Sequence, residues 1–266
     1  MHSNDQTATP SIQWPKKYDL IGVQVSKVDY DVAIDCMMQA AKQSSSGIVA
    51  CHAVHAIVTA SCDPDLRQQV NEFAMITPDG QPVRWGLNLL HRTGLSDRVY
   101  GPELTRRVCH AAAKEGVSIY LYGGTPEILD LLQTNLHKEV PGLTIAGAEA
   151  PPFRKLSEAE NQAACNRINE SGAGVVMIGL GCPKQDFFAA HNRDRINCIQ
   201  LLVGAAFDFH AGVKPMAPKW MQKHGLEWLF RLVCEPRRLW HRYLVTNSIY
   251  LYRLGTSLIC KPFTAS

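Results

Sequence analysis

No apolar run in the 266-residue sequence approaches the roughly 18 residues that a membrane-spanning helix needs. No Gly-x-Gly-x-x-Gly follows the first strand, and no Gly-rich loop ends in the Lys-Ser/Thr of a P-loop. Two familiar nucleotide fingerprints are therefore missing. The nine cysteines are scattered, with no Cys-x-x-Cys pair. That spacing argues against zinc or disulfides and suits small apolar residues in a reducing compartment. His52 and His55 lie close together but lack a third ligand, too little for a metal site. The opening MHSNDQTATPSIQWPKK is polar and has no signal-peptide core, so a cytoplasmic protein with a disordered lead-in over 1–17 is expected.

What the chain does have is an alternation of strands and helices. Strands are expected at 18–25 (YDLIGVQV), 47–54 (GIVACHAV), 74–77 (AMIT), 118–123 (SIYLYG), 143–148 and 174–180 (GVVMIGL). A last strand is expected from 199, with 203–209 still extended and Asp208 at its end. Helices fill the intervals, among them one from the end of GIVACHAV through Val70. Several strands are continuously apolar, which points to a mostly parallel sheet covered by helices on both faces. The expected fold is α/β: a Rossmann-like core over 18–213 and a helical C-terminal appendage over 214–266.

Ligands of such sheets bind beyond the carboxyl ends of the strands. The segments there are 51–55, 77–80, 123–127, 181–186 and 208–212, all rich in Gly, Pro, Asp or Gln. They suit a phosphate-bearing ligand met by backbone amides at helix N-termini. Gly123, Gly124 and Thr125 either hold a phosphate or ribose or simply make a turn. Gly179 and Gly181 would let a ligand approach the backbone, with Gln185 in the first helical turn beyond. Thr77-Pro78-Asp79-Gly80 is a turn signature, and Asp79 either shapes that turn or acts as a general base. The triplets Asp29-Tyr30-Asp31 and Asp63-Pro64-Asp65 resemble metal-binding pairs but fall where helix caps belong.

Charge is uneven. Residues 214–242 carry seven Lys and Arg against two acids, a net +5 in a chain whose total is +3. The partner of that end is expected to be anionic. Pro236 opens a last helix. At about 100° per residue, Arg237, Arg238, His241 and Arg242 share one arc, and Leu239, Trp240, Tyr243 and Leu244 the other. A basic arc opposite an aromatic, apolar arc is the pattern of a helix on a membrane surface.

Several segments together resemble the WecG/TagA/CpsF family of bacterial glycosyltransferases (glycosyltransferase family 26). They are PDG at 78–80, RVYGPEL at 98–104, YLYGGTPE at 120–127, GLGCPKQD at 179–186, VGAAFDFHAG at 203–212 and APKWMQKHGLEWLFRLVCEPRRLWHRYL at 217–244. The resemblance runs from about 18 to 243. It implies an inverting, metal-independent transfer from a UDP-sugar to a polyprenyl-pyrophosphate-linked saccharide on the cytoplasmic membrane face. The products would feed teichoic acid, common antigen or exopolysaccharide assembly. By the same resemblance Asp79 is the base, Gln185 and Arg98 are active-site residues, and Arg231 and Arg238 are the appendage arginines. The nucleotide would lie on Gly123–Thr125 and on the 179–185 loop, with Asp208 near its ribose or base. No cofactor or nucleic acid is implied, the anionic membrane would be met through the appendage, and a homo-oligomer is left open. This chain departs from the family pattern at Cys51-His52-Ala53, where Thr-x-Asn is common. It departs again at Asp186, where Glu is common, and at His241, where Arg is common. The alternatives are a nucleotide-binding, Rossmann-like dehydrogenase and a non-catalytic peripheral scaffold.

Overall fold

The structure, a computed structural model, describes residues 11–260. Six parallel strands form the central sheet: β3 (Gly47–His52), β4 (Met75–Pro78), β5 (Ile119–Gly123), β6 (Ile145–Glu149), β7 (Val175–Gly179) and β8 (Ile199–Leu202). Their order is β4-β3-β8-β7-β5-β6. Alternate residues of a strand point to opposite faces, and in β7 both sets are apolar and buried. Val175 and Met177 belong to the core cluster formed with α1 (Tyr30–Lys42), α5 (Gly101–Glu115), α6 (Pro126–Glu139) and α9 (Ala206–His210). Val176 and Ile178 belong to the one formed with α2 (Val54–Cys62), α3 (Pro64–Asn71), α4 (Gln81–His91), α7 (Glu158–Glu170) and α8 (Lys184–His191). Burial on both faces is why the strands read as unbroken apolar runs.

The expected first strand is instead a hairpin. β1 (Lys17–Leu20) pairs antiparallel with β2 (Val23–Ser26) outside the main sheet. The chain reverses at Ile21 and Gly22, both at positive φ. The expected helix from 54 to 70 divides at Asp63, whose carboxylate accepts from the N–H groups of Asp65 and Leu66, each at 3.0 Å. Asp29 caps α1 through Val32 N at 2.9 Å. Both Asp-x-Asp triplets thus serve as caps. The last strand stops at Leu202, and Ala206–His210 is helix α9, so Asp208 is a helical residue. Phe207 fills the space over Gly179 there, so apolarity reflects burial of a helix. Of the lead-in, 1–10 lie outside the described residues. Residues 11–16 are held on the core because Ile12 and Trp14 pack against it.

Beyond 213 the chain forms α10 (Lys219–Lys223), α11 (Glu227–Cys234) and α12 (Pro236–Cys260). Leu239, Thr246 and Tyr250 make one buried stripe on α12 at helical spacing. Tyr250 joins the core cluster on the α2–α4 side, and its hydroxyl donates to Pro82 O at 2.7 Å. Gly86 makes this approach possible, since a Cβ there would lie 2.3 Å from the Tyr250 hydroxyl. Among the described residues no helix is long and apolar enough to cross a membrane.

The expected arcs of α12 are cut across. Leu239 is buried, Arg242 and Tyr243 are half-buried, and Arg238, though exposed, lines the cleft. Trp240 and Leu244, with Arg237 and His241, turn to solvent.

Candidate active site

A cleft of about 1820 Å³ lies over the carboxyl ends of the strands. Residues following all six strands line it: Ala53, Asp79, Gly124, Pro151, Leu180 and Val203. Its other wall comes from α11 and α12. Eight Lys and Arg side chains line it against four carboxylates, a balance suited to an anionic ligand. Of the residues expected in the site, Asp79, Arg98, Gly124, Thr125, Gly179, Gly181, Gln185, Asp208, Arg231 and Arg238 all line the cleft. Gly123 does not. It stands beside β7, where a Cβ would come within 2.7 Å of the Gly179 backbone, so its glycine serves close strand packing.

Asp79 follows β4. Its backbone N–H donates to Thr77 O at 2.9 Å and His52 O at 3.2 Å, which fixes the turn. Its Oδ2 accepts from Gly101 N at 3.2 Å, at the start of α5. The residue stays partly open to the cleft. Burial of the carboxyl pushes its pKa up to about 6, aided by the Glu227 charge and opposed by Arg98, the Gly101 N–H and Arg231. Such a group is ionised at neutral pH and still basic enough to accept a proton.

Arg98 is buried. It donates to Glu227 Oε2 at 2.6 Å, and its guanidinium lies 4.2 Å from the centroid of the Tyr100 ring. Glu227 opens α11, so this pair ties the C-terminal helices to the segment ahead of α5, beside Asp79 in the cleft. Sequence reasoning missed Glu227, since one acid in a basic stretch gives no local signal. It also took Arg242 only as a surface charge. In the structure Arg231, Arg238 and Arg242 converge on the cleft from α11 and α12. The Nε groups of Arg231 and Arg242 are buried without a hydrogen-bond partner. Burial, with the like charges of Arg231 and Arg238, lowers the Arg242 pKa. Arg238 pairs with Glu235.

On the opposite side, Thr125 caps α6 by accepting from Ile128 N at 3.3 Å, leaving Gly124 and Thr125 at the cleft wall. Gln185 is buried, and its Oε1 accepts from Gly181 N at 3.1 Å, shaping the loop after β7. Asp208 is paired with Lys214 at 2.6 Å. Tyr122, missed in the sequence, is buried on the cleft floor and stacks on Phe188 at 4.8 Å between centroids.

Two of the sequence departures meet in space. His52 Nε2 and Asp186 Oδ1 lie 2.7 Å apart, both fully buried. The pair joins the end of β3 to the first turn of α8. Among the described residues no group of three or more His, Cys, Asp or Glu is arranged to hold a metal ion.

A comparison with known protein families matches residues 18–262 to the glycosyl transferase WecG/TagA/CpsF family. The match spans nearly the whole chain, the strands and the C-terminal helices alike, and it removes the dehydrogenase alternative.

Proposed function

The chain belongs to the WecG/TagA/CpsF family of glycosyltransferases, which serve cell-surface polysaccharide biosynthesis, and from that premise we propose that it moves a sugar from a UDP-sugar to a polyprenyl-pyrophosphate-linked saccharide with inversion. Asp79 takes the proton of the acceptor hydroxyl as its oxygen bonds to the anomeric carbon. The bond from that carbon to the diphosphate breaks on the opposite face, and UDP leaves. The observation that carries this reading is the pair of buried, unpartnered guanidinium Nε groups, Arg231 and Arg242, in a cleft shared with an elevated carboxylate. Buried donors without acceptors are costly, and a diphosphate supplies the acceptors. Fixed cations aimed at the leaving group stabilise its developing charge. Arg98 is committed to Glu227, so the diphosphate falls mainly to Arg231, Arg238 and Arg242.

The reaction in this reading needs no metal, because the arginines do the work of a divalent cation at the diphosphate. The nucleotide lies against Gly124, Thr125 and the Gly179–Gln185 loop. The outward face of α12, with Trp240, Leu244 and Leu251 exposed beside Arg237, rests on an anionic bilayer from the cytoplasmic side. That position sets the cleft at the membrane, where a lipid-linked acceptor resides.

The test is a panel of UDP-sugars offered with a lipid-pyrophosphate acceptor analogue in the presence of a chelator. Release of UDP with formation of a glycosylated acceptor is expected for one donor. No turnover with any donor, with or without Mg²⁺ or Mn²⁺, contradicts the reading and favours a scaffold. Turnover only with added metal contradicts the role given to the arginines.

A further inference from the structure

The charge of Arg98 reaches two carboxylates but is paired with one of them. Its guanidinium donates to Glu227 at 2.6 Å, and among the described residues it forms no ion pair with Asp79, though its charge acts on that carboxyl. The groups around Asp79 are contributed by three elements and the segment ahead of α5. They are Tyr30 on α1, Cys51 on β3, Arg98 and Tyr100 before α5, and Glu227 and Arg231 on α11. Tyr100 caps the arrangement, with Tyr30 Oη accepting its N–H at 2.9 Å and the Arg98 guanidinium lying over its ring. Tyr30 and Tyr100 are both held neutral, their pKa values raised chiefly by burial. Among the described residues, Glu227 and Asp79 are thus the carboxylates acting on Arg98, and Glu227 is buried although its α11 neighbours Trp228 and Leu229 are exposed.

We propose that Glu227 is a positioning residue for Asp79: its charge pair with Arg98 keeps that cation from capturing the Asp79 carboxylate, and so keeps the base able to accept a proton. The assignment rests on reading Asp79 as the base. An arginine left alone beside a buried aspartate forms an ion pair with it, which favours the ionised carboxylate and weakens it as a base. With Glu227 present, the Arg98 charge is shared, and the negative charge of Glu227 itself acts in the same direction. Both effects vanish together when the glutamate is neutralised.

The experiment uses the full chain labelled with ¹³C at aspartate side-chain carboxyls, the Asp79 signal being identified by its loss in Asp79→Asn. Its titration is followed in the wild type, Glu227→Gln and Glu227→Asp. The wild-type midpoint is expected near about 6. Glu227→Gln should lower it by roughly one pH unit or more, and Glu227→Asp, which weakens the same pair, by less. The acid limb of the kcat/KM profile for sugar transfer should move to lower pH in step. A wild-type midpoint at the ordinary value, about 4, overturns the proposal, as does no fall in either folded variant. A chain whose Asp79 midpoint falls as expected but which transfers no sugar refutes the transferase reading and leaves the role of Glu227 standing.

Discussion

Every residue of β5 and the first four of β7 are buried, whereas Trp220, Val233, Trp240, Leu244, Leu251 and Tyr252 on the C-terminal helices stand open to solvent. Among the described residues, thirteen of the nineteen large apolar side chains that are exposed lie within 213–260. An apolar residue in the sheet therefore signals core, whereas many in the last helices lie on the surface. Both regions supply charge to the cleft: Asp79, Arg98, Arg154, Lys155 and Lys184 come from the core, and Lys214, Arg231, Arg238 and Arg242 from the chain beyond 213. The two regions face each other across the cleft and are joined by the Arg98–Glu227 pair.

The largest effect is expected at Asp79, the proposed base. Asp79→Asn should lower transfer by about 10²–10⁴-fold with UDP binding intact. The same variant should also gain stability at neutral pH. The folded pKa of Asp79 is raised, so the burial penalty on its charge is absent below the unfolded value near 4 and grows as pH rises through about 6. Thermal unfolding of Asp79→Asn should therefore come at a higher temperature than wild type at pH 7, by roughly 1–3 kcal/mol in stability, and at the same temperature at pH 4. Full activity in a folded Asp79→Asn chain would leave Asp79 as a turn residue.

Tyr250→Ala probes where the two regions are welded. It removes a buried ring and the bond to Pro82 O. Chemical denaturation should show a loss of about 3–5 kcal/mol, the range for large aromatic truncations in cores. A loss under about 1 kcal/mol would mean that α12 is seated on the core without contributing to it. Trp240→Ala with Leu244→Ala probes the outward face. Flotation with anionic liposomes should weaken by about tenfold to a hundredfold, equivalent to part of the burial of two apolar side chains. Unfolding stability should move by less than about 0.5 kcal/mol. Binding that survives the double substitution, and is indifferent to salt, would place the membrane contact elsewhere.

The pattern of what was legible in the sequence follows the same contrast. Strands β5 and β7 announced themselves because both faces are covered, so composition alone marked them. The Asp29 and Asp63 caps were legible because capping chemistry is local. The hairpin at Ile21-Gly22 was not, since isoleucine at positive φ carries no turn signal. Ala206–His210 was misread as strand because a short buried helix and a buried strand have the same apolarity. Periodicity separated polar from apolar arcs on α12 but could not say that Arg238 and Arg242 face a cleft. That depends on what lies across from the helix. Glu227 was invisible for the same reason: its partner, Arg98, is 129 residues away. The catalytic candidates at strand ends were found because the parallel sheet fixes where they gather.

In the proposed reaction the C-terminal helices complete the catalytic site and do more than anchor it. The most direct measurement is Arg231→Ala, assayed side by side for transfer to a water-soluble acceptor analogue and for liposome flotation. Arg231 lines the cleft with its Nε buried and unpartnered, and its guanidinium lies 5.6 Å from the Phe209 ring centroid. Transfer is expected to fall by about 10²–10³-fold, the usual loss for one donor to developing negative charge, while flotation is unchanged. Transfer to the soluble analogue at the wild-type rate would contradict this and reduce the helices to an anchor.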